Sequence, residues 1–520
     1  MLKNIWSNLI IIIIISLNSE KNKEKTKSWL VMLKIKSLVE DLAYVVGEDN
    51  VVWEKEDLIV YEYDGSIDRS LPLAVVLPGS AAEVSKCVKI SNKYNCSIVP
   101  RGAATGLSGG AVPLKQSLVI CLTRLKRIIE IDEKNRLAVV EPGVVNLKLS
   151  DAVKDKSLFY APDPSSQKTC TIGGNVSENA GGPHCFSLGV TTNHVLGMEI
   201  VLSNGEITWL GAKSRSYSGY DLRGAFIGSE GTFGIITKII VRLMKIPESV
   251  STILAAFKSM DDASNAVSEV ISAGMIPAAL EMMDRITIEA CEPVYNPKYP
   301  KGSEAVLLIE IDGLTESVKE EIDIVKKICA QNNSIEIRQA NNESDRVKLW
   351  ETRKGAIGAY GTIAPTYYLV DGVVPRTKLT EVLREVKNIG QKLEVTIGNV
   401  FHAGDGNIHP AILFDGRKKT EVNQAIRAGG EILEVCVKAG GALSGEHGIG
   451  TEKQDYMRLV FNEEDLRAMK KLRAAFVQTD KNVDVEKFNP DKIFPRGSNG
   501  GVTYKLNDPE FYPTGGEEWA

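Results

Sequence analysis

Apolar and polar positions alternate along this chain in short, regular units. Leu73 to Leu77 is an apolar run bounded by Pro72 and Pro78, which predicts a strand. Residues 81–94 carry Val84, Val88 and Ile90 at helical spacing, and Ser97 to Val99 resumes extended structure before a glycine-rich loop. Further strands are predicted at 117–123, 127–131 and 137–141, followed by the turn Glu141-Pro142-Gly143. Residues 197–203 and 206–210 read as a hairpin closed by Asn204-Gly205. These elements define an α+β domain that closes near residue 245, just before Pro247. Beyond it two strand–helix units follow, strand 251–257 with helix 261–273 and strand 305–311 with helix 315–331. Val318, Ile322, Val325 and Cys329 make one apolar face of the last helix. Two such units suit an antiparallel sheet covered by helices on one side.

The predicted division is therefore an N-terminal extension (1–31), a first domain (32–245), a second domain (246–495) and a surface tail rich in Gly and Pro (496–520). A length of 520 residues agrees with two or three domains. Within the extension, Leu9 to Leu17 is nearly all isoleucine, but nine residues are too few for a bilayer, which needs roughly 20. Three readings stay open there: a start of translation at Met32, a weak membrane anchor, and an export signal without a recognisable cleavage site.

Composition narrows the function. With 25% charged residues and a net charge of −5, nucleic acid is not the expected partner. The eight cysteines include no Cys-x-x-Cys pair, which leaves no iron–sulfur or zinc-ribbon ligand set. Reduced thiols in a cytoplasmic enzyme, at most peripheral to the inner face of the membrane, are expected.

The chemistry is concentrated in glycine-rich segments. Residues 402–409 read His-Ala-Gly-Asp-Gly-Asn-Ile-His and residues 444–450 read Ser-Gly-Glu-His-Gly-Ile-Gly, together holding three of the five histidines. His402, His409 and Glu446 are candidate ligands for a divalent metal with an open position for substrate. His447 then remains as an acid/base near neutral pH. The loop Arg-Gly-Ala-Ala-Thr-Gly-Leu-Ser-Gly-Gly (101–110) lets backbone approach a ligand closely. It lacks the Lys-Ser/Thr of a P-loop, and no Gly-x-Gly-x-x-Gly occurs, which disfavours ATP and Rossmann-bound NAD. Similar loops follow at 171–182 and 228–234, and three in one domain suit a dinucleotide.

The order of these loops, with Pro-Asp-Pro-Ser-Ser-Gln-Lys at 162–168 between the first two, resembles the FAD domain of the vanillyl-alcohol oxidase superfamily. Within it the chain is similar to FAD-linked 2-hydroxy-acid dehydrogenases: the FAD subunit of glycolate oxidase, the bacterial D-lactate dehydrogenases and, nearby, D-2-hydroxyglutarate dehydrogenase. The resemblance spans roughly residues 35–495 and implies an α+β fold. That fold joins a two-subdomain FAD-binding domain to a C-terminal cap built on an antiparallel sheet. It assigns the flavin to Arg101, Gly102, Ala103, Ala104, Thr105, Gly106, Leu107, Gly109 and Gly110 in the first loop. Pro162, Asp163, Thr171, Ile172, Gly173, Gly174, Asn175, Ser177, Asn179 and Gly182 follow, then Glu230, Gly231, Gly234 and Ile235. No histidine lies in residues 101–110, so FAD is expected to be non-covalent.

The resemblance likewise makes His402, His409 and Glu446 metal ligands and His447 the catalytic histidine. It places Arg353 on the substrate carboxylate, where a guanidinium fork suits bidentate recognition, and Asn407 beside the metal or the substrate. Zinc, manganese, iron and cobalt all suit two imidazoles and a carboxylate. Where the 2-hydroxyglutarate enzyme has a lysine for its distal carboxylate, this chain has Tyr367-Tyr368-Leu369-Val370, which favours a short substrate such as D-lactate or glycolate. Reduced flavin implies an electron-accepting partner: an electron-transferring flavoprotein, an iron–sulfur subunit or a quinone chain. An oligomer is also expected. The rival readings are a redox-silent flavin subunit of a larger complex and a metal-dependent hydrolase.

Overall fold

A computed structural model describes residues 20–113, 117–214 and 219–477. The isoleucine-rich run at 9–17, the tail at 496–520 and the end of the second domain lie outside them.

Helix α1 (Glu20–Val46) leads into a four-stranded sheet of β1 (Val51–Val52), β2 (Ala74–Val76), β3 (Ile98–Arg101) and β4 (Leu118–Cys121), in the order β1-β2-β4-β3. Between β2 and β3, α2 (Ala81–Tyr94) starts where the Ser80 hydroxyl accepts from the Glu83 amide at 3.2 Å and Glu83 accepts from Gly79 at 2.8 Å. This reciprocal cap fixes the helix start predicted from periodicity. The helix stops at Asn95, which turns left-handed at φ 49°. Both β2 and β3 pair with β4 in parallel, so the loop leaving β3 opens at the sheet's C-terminal edge.

A five-stranded antiparallel sheet follows, in the order β5-β6-β9-β7-β8. It is made of β5 (Ile128–Asp132), β6 (Leu137–Val140), β7 (Val195–Val201), β8 (Ile207–Gly211) and β9 (Ile235–Arg242). The predicted hairpin is β7–β8, with Gly205 at φ 83° in its turn. A short helix, α3 (Ile172–Glu178), packs against this sheet through Ile172 and Val176.

The second half is built on a nine-stranded sheet whose pairings are all antiparallel. Its central strands are β10 (Ser249–Phe257), β11 (Ala279–Asp284) and β12 (Ala305–Gly313), in the order β10-β12-β11. Helices α4 (Met260–Ser272), α5 (Arg285–Tyr295), α6 (Thr315–Gln331) and α7 (Glu343–Ala359) are interspersed with β13 (Ser334–Gln339). The remaining elements are β14 (Thr366–Leu369), β15 (Gly372–Val373), α8 (Leu379–Leu393), β16 (Thr396–His402), β17 (Asn407–Ile408), β18 (Pro410–Phe414) and α9 (Lys419–Lys438).

Helices cover both faces of this sheet, not the single face expected. Ile253, Ala255 and Phe257 of β10 pack with α4, α6, α8 and α9, whereas Leu254 and Ala256 pack with α5 and α7. The reason is visible in β10 and β12, whose residues 252–257 and 305–311 are buried without interruption. A strand apolar on both faces requires a layer on each. Among the described residues no helix is long and apolar enough to cross a membrane.

Candidate active site

The cleft between the two halves is lined on one side by the glycine-rich loops and on the other by Arg353, Leu369, His402, His409, Glu446 and His447. In the first loop Arg101 is buried and directs its guanidinium to the carbonyls of Val60, Tyr61 and Ala111 at 3.2–3.4 Å. It therefore holds the loop in shape from behind. Gly102 is pressed against the second loop: a Cβ there would lie 2.5 Å from Thr171 Oγ1, the cap of α3. At Gly106, by contrast, a Cβ would meet nothing within 4 Å. Open space in front of small residues and free backbone is the cradle a flavin nucleotide needs, so these loops fit FAD.

Several of the residues assigned to flavin face elsewhere. Ile172 and Ile235 are fully buried in hydrophobic cores. Asn179 is the left-handed cap of α3, its Oδ1 accepting from the Thr192 amide at 2.9 Å. Gly182 packs on the Asp163 backbone, and Asp163 itself bonds His184 Nδ1 at 2.9 Å. The Pro162 carbonyl accepts from Asn146 at 2.9 Å, and Gly109 is packed against Thr451. The other assigned residues, in all three loops, line the cleft, Gly231 and Gly234 in the third.

Across the cleft, β16 ends in His402 and the turn to β17 and β18 brings back His409. His402 Nε2 and His409 Nε2 approach Glu446 Oε1 at 3.2 and 3.1 Å, and all three side chains are largely buried. His402 Nδ1 bonds Glu281 at 2.8 Å, which aims its other nitrogen at Glu446. Burial opposes a charge on His402, but Glu281 and Glu446 outweigh it and raise its pKa to about 10. The other ring nitrogen of His409, Nδ1, is buried without a hydrogen-bond partner. Convergent imidazole nitrogens and a carboxylate, with one histidine braced by a further carboxylate, fit a divalent cation.

His447 stacks on His409 at 5.0 Å between centroids. Burial lowers its pKa to about 4, against the pull of Asp371, so the imidazole is neutral and its pKa lies below the near-neutral value expected from sequence. Arg353, on α7, is 3% exposed; it pairs with Glu281, while its Nε has no partner. Asn407 is opposite His402 in the β16–β17 register and packs under Gly445, away from the cleft lining.

Three buried residues were not singled out from sequence. Glu281 links His402 to Arg353. Asp371 accepts from Ser444 Oγ at 2.6 Å and from the amides of Gly445, Glu446 and His447 at 2.9–3.2 Å. Lys453, fully buried, lies 3.6 Å from Asp371. The available signal was a charge amid apolar residues: Glu281 sits within Ala-Leu-Glu-Met-Met, and Asp371 follows Tyr-Leu-Val.

This arrangement of sheets and loops is a flavin-binding fold. The structure of p-cresol methylhydroxylase with substrate bound superposes with a TM-score of 0.73 at 18% identity, over 89% of this chain and 96% of that one. The 4-ethylphenol oxidase of Gulosibacter chungangensis gives a TM-score of 0.72 at 19% identity, over 89% and 98%. An FAD binding domain matches residues 72–211, and the C-terminal domain of FAD linked oxidases matches residues 246–476. The glycolate oxidase subunit GlcD of Escherichia coli is 43% identical over 81% of this chain and 85% of the relative; that of Bacillus subtilis is 39% identical over 90% and 98%. The D-lactate dehydrogenase of Archaeoglobus fulgidus is 32% identical over 81% and 90%. The chain belongs to the FAD-linked oxidase family and is an FAD-linked oxidoreductase.

Proposed function

We propose that this protein oxidises a short 2-hydroxy acid, glycolate or D-lactate, to the 2-oxo acid. The carrying observation is the meeting of His402, His409, Glu446 and His447 with three glycine-rich loops in one cleft. The relatives named glycolate oxidase subunit and D-lactate dehydrogenase support the substrate class. In this reading the first half, to about residue 245, holds FAD non-covalently, and the second half holds the substrate.

His402, His409 and Glu446 are the ligands for a divalent cation. When bound, the flavin is the hydride acceptor and the cation supplies the Lewis acidity that makes a hydroxyl acidic. Arg353 binds the substrate carboxylate from the cleft wall, while Glu281 holds its Nη2. His447 takes the hydroxyl proton at Nε2, which faces Glu446 Oε1 at 3.9 Å. Leu107, Ile357, Leu369 and Val400 give the cleft apolar walls that limit water. Leu369 adds an apolar rather than a cationic group to the cleft wall, which favours a short substrate. Electrons then pass to a separate protein or quinone acceptor, because none of the eight cysteines forms a cluster motif.

The test is the visible spectrum of purified protein before and after anaerobic addition of glycolate, D-lactate, L-lactate and 2-hydroxyglutarate. Bleaching by glycolate or D-lactate, abolished by a chelator, is expected. A flavin band untouched by all four acids refutes the proposal in favour of a redox-silent subunit.

A further inference from the structure

The loop that carries Glu446 and His447 has no secondary structure of its own to hold it. Its backbone amides from Gly445 to Gly450 are nonetheless all bonded. Those of Gly445, Glu446 and His447 donate to Asp371, and that of Gly448 to Ser444 Oγ at 2.9 Å. The next two leave the second half altogether: Ile449 donates to Glu230 Oε1 at 2.7 Å and Gly450 to Glu230 Oε2 at 2.8 Å. Thr451 donates to the Ser108 carbonyl at 2.9 Å, and Ser108 Oγ donates to the His447 carbonyl at 3.0 Å. Glu230 and Ser108 belong to the third and first glycine-rich loops. One carboxylate from each half thus grips the same loop.

Two further details show that the grip is built closely. Gly450 is left-handed at φ 54°, and a Cβ on it would collide with the Ser108 carbonyl. Glu230 is itself a non-glycine residue at φ 53°, a conformation that costs energy and persists only where its surroundings impose it. Its amide is held by the Ser177 carbonyl at 2.8 Å, in the second loop. Residues from all three glycine-rich loops therefore set where Glu446 and His447 stand.

We propose that Glu230, although it lines the cleft, is a positioning residue for the catalytic loop: its carboxylate fixes Glu446 and His447 in place by binding the amides of Ile449 and Gly450. Because its backbone is part of the flavin cradle, the base and the metal ligand are registered against the cofactor. This rests on the reading of Glu446 as a metal ligand only where metal affinity is the readout.

The test compares wild-type holoenzyme with Glu230→Gln and Glu230→Asp. An amide turns one of its two acceptors into a donor facing a backbone N–H. Glu230→Gln should retain flavin and its visible spectrum. Its affinity for Mn2+ by calorimetry should fall about 10- to 100-fold, the range typical of residues that orient a ligand, with partial recovery in Glu230→Asp. Hydrogen exchange in a peptide covering 444–453 should quicken about tenfold, a readout needing neither metal nor turnover. Ser108→Ala, which releases only the His447 carbonyl, should show smaller changes in the same direction and serves if Glu230→Gln does not fold. Loss of flavin from Glu230→Gln with Mn2+ affinity and exchange unchanged would overturn the proposal, as would no change in any of them. Wild-type protein that binds no Mn2+ would refute the metal reading, while exchange in 444–453 still decides the clamp.

Discussion

Replacing Glu281 with glutamine tests the electrostatics of the site without changing its shape. Glu281 is 1% exposed and accepts from His402 Nδ1 at 2.8 and 3.0 Å while pairing with Arg353, which is 3% exposed. At neutral pH the two cations, Arg353 and His402, are balanced by two carboxylates, Glu281 and Glu446. Glutamine leaves one positive charge unbalanced in a largely buried site. Removing one partner of a buried ion pair costs about 3–5 kcal/mol. His402 can relieve part of this by giving up its proton, so the lower end, about 3 kcal/mol, is the expected loss. With a urea dependence near 3 kcal/mol per molar, the unfolding midpoint should drop by roughly 1 M. The amide also turns the imidazole less firmly toward Glu446, so Mn2+ affinity should weaken about 10- to 100-fold. Urea unfolding followed by fluorescence and calorimetry with Mn2+ measure the two effects. A midpoint shift below about 0.3 M together with unchanged metal affinity would refute the argument, because neither the buried charge nor the bracing of His402 would then matter.

Three other outcomes are expected. His447→Ala should keep flavin and metal yet slow flavin reduction by glycolate or D-lactate about 10²- to 10⁴-fold, measured by stopped flow. Gly102→Ala should push the first two loops apart at Thr171 Oγ1, 2.5 Å from the new Cβ, and lower the flavin content of purified protein, read from the ratio of visible to ultraviolet absorbance. The third concerns pH. Burial disfavours a charge on His184, but Asp163 and Glu310 outweigh it and raise its pKa from 6.5 to about 10. A raised folded-state value means stabilisation fully present below pH 6.5 and lost as pH rises through about 10. The urea midpoint should decline across that interval in the wild type, and His184→Gln should lack that part of the slope.

Much of this molecule is legible in local pattern. The helix at 81–94, the Asn204-Gly205 hairpin and the apolar stripe of Val318, Ile322, Val325 and Cys329 depend on neighbours within a few turns or one hairpin. The glycine-rich loops and the paired histidine motifs are equally local, and they carried the reading as a flavin enzyme with a metal site. Ile172 opens α3 and Ile235 opens β9, and each side chain points into a core, because side-chain direction follows from packing rather than from membership of a motif.

The partners that make the site work are remote in sequence. Glu281 meets His402 because β11 and β16 pair in a register that sets those two residues opposite each other. Asp371 reaches the 445–447 amides only because the loop returns beside β15, where Val373 bridges Ala442. Glu230 reaches Ile449 and Gly450 only because the two halves close on one another. Spacing along the chain records which groups are present and which turns are cheap to form, since those depend on a few adjacent dihedrals. Which buried charge compensates which, and which amide finds which carboxylate, depends on strand register and on the docking of the two halves. Those are settled by burial summed over the whole fold, and only the tertiary structure decides them.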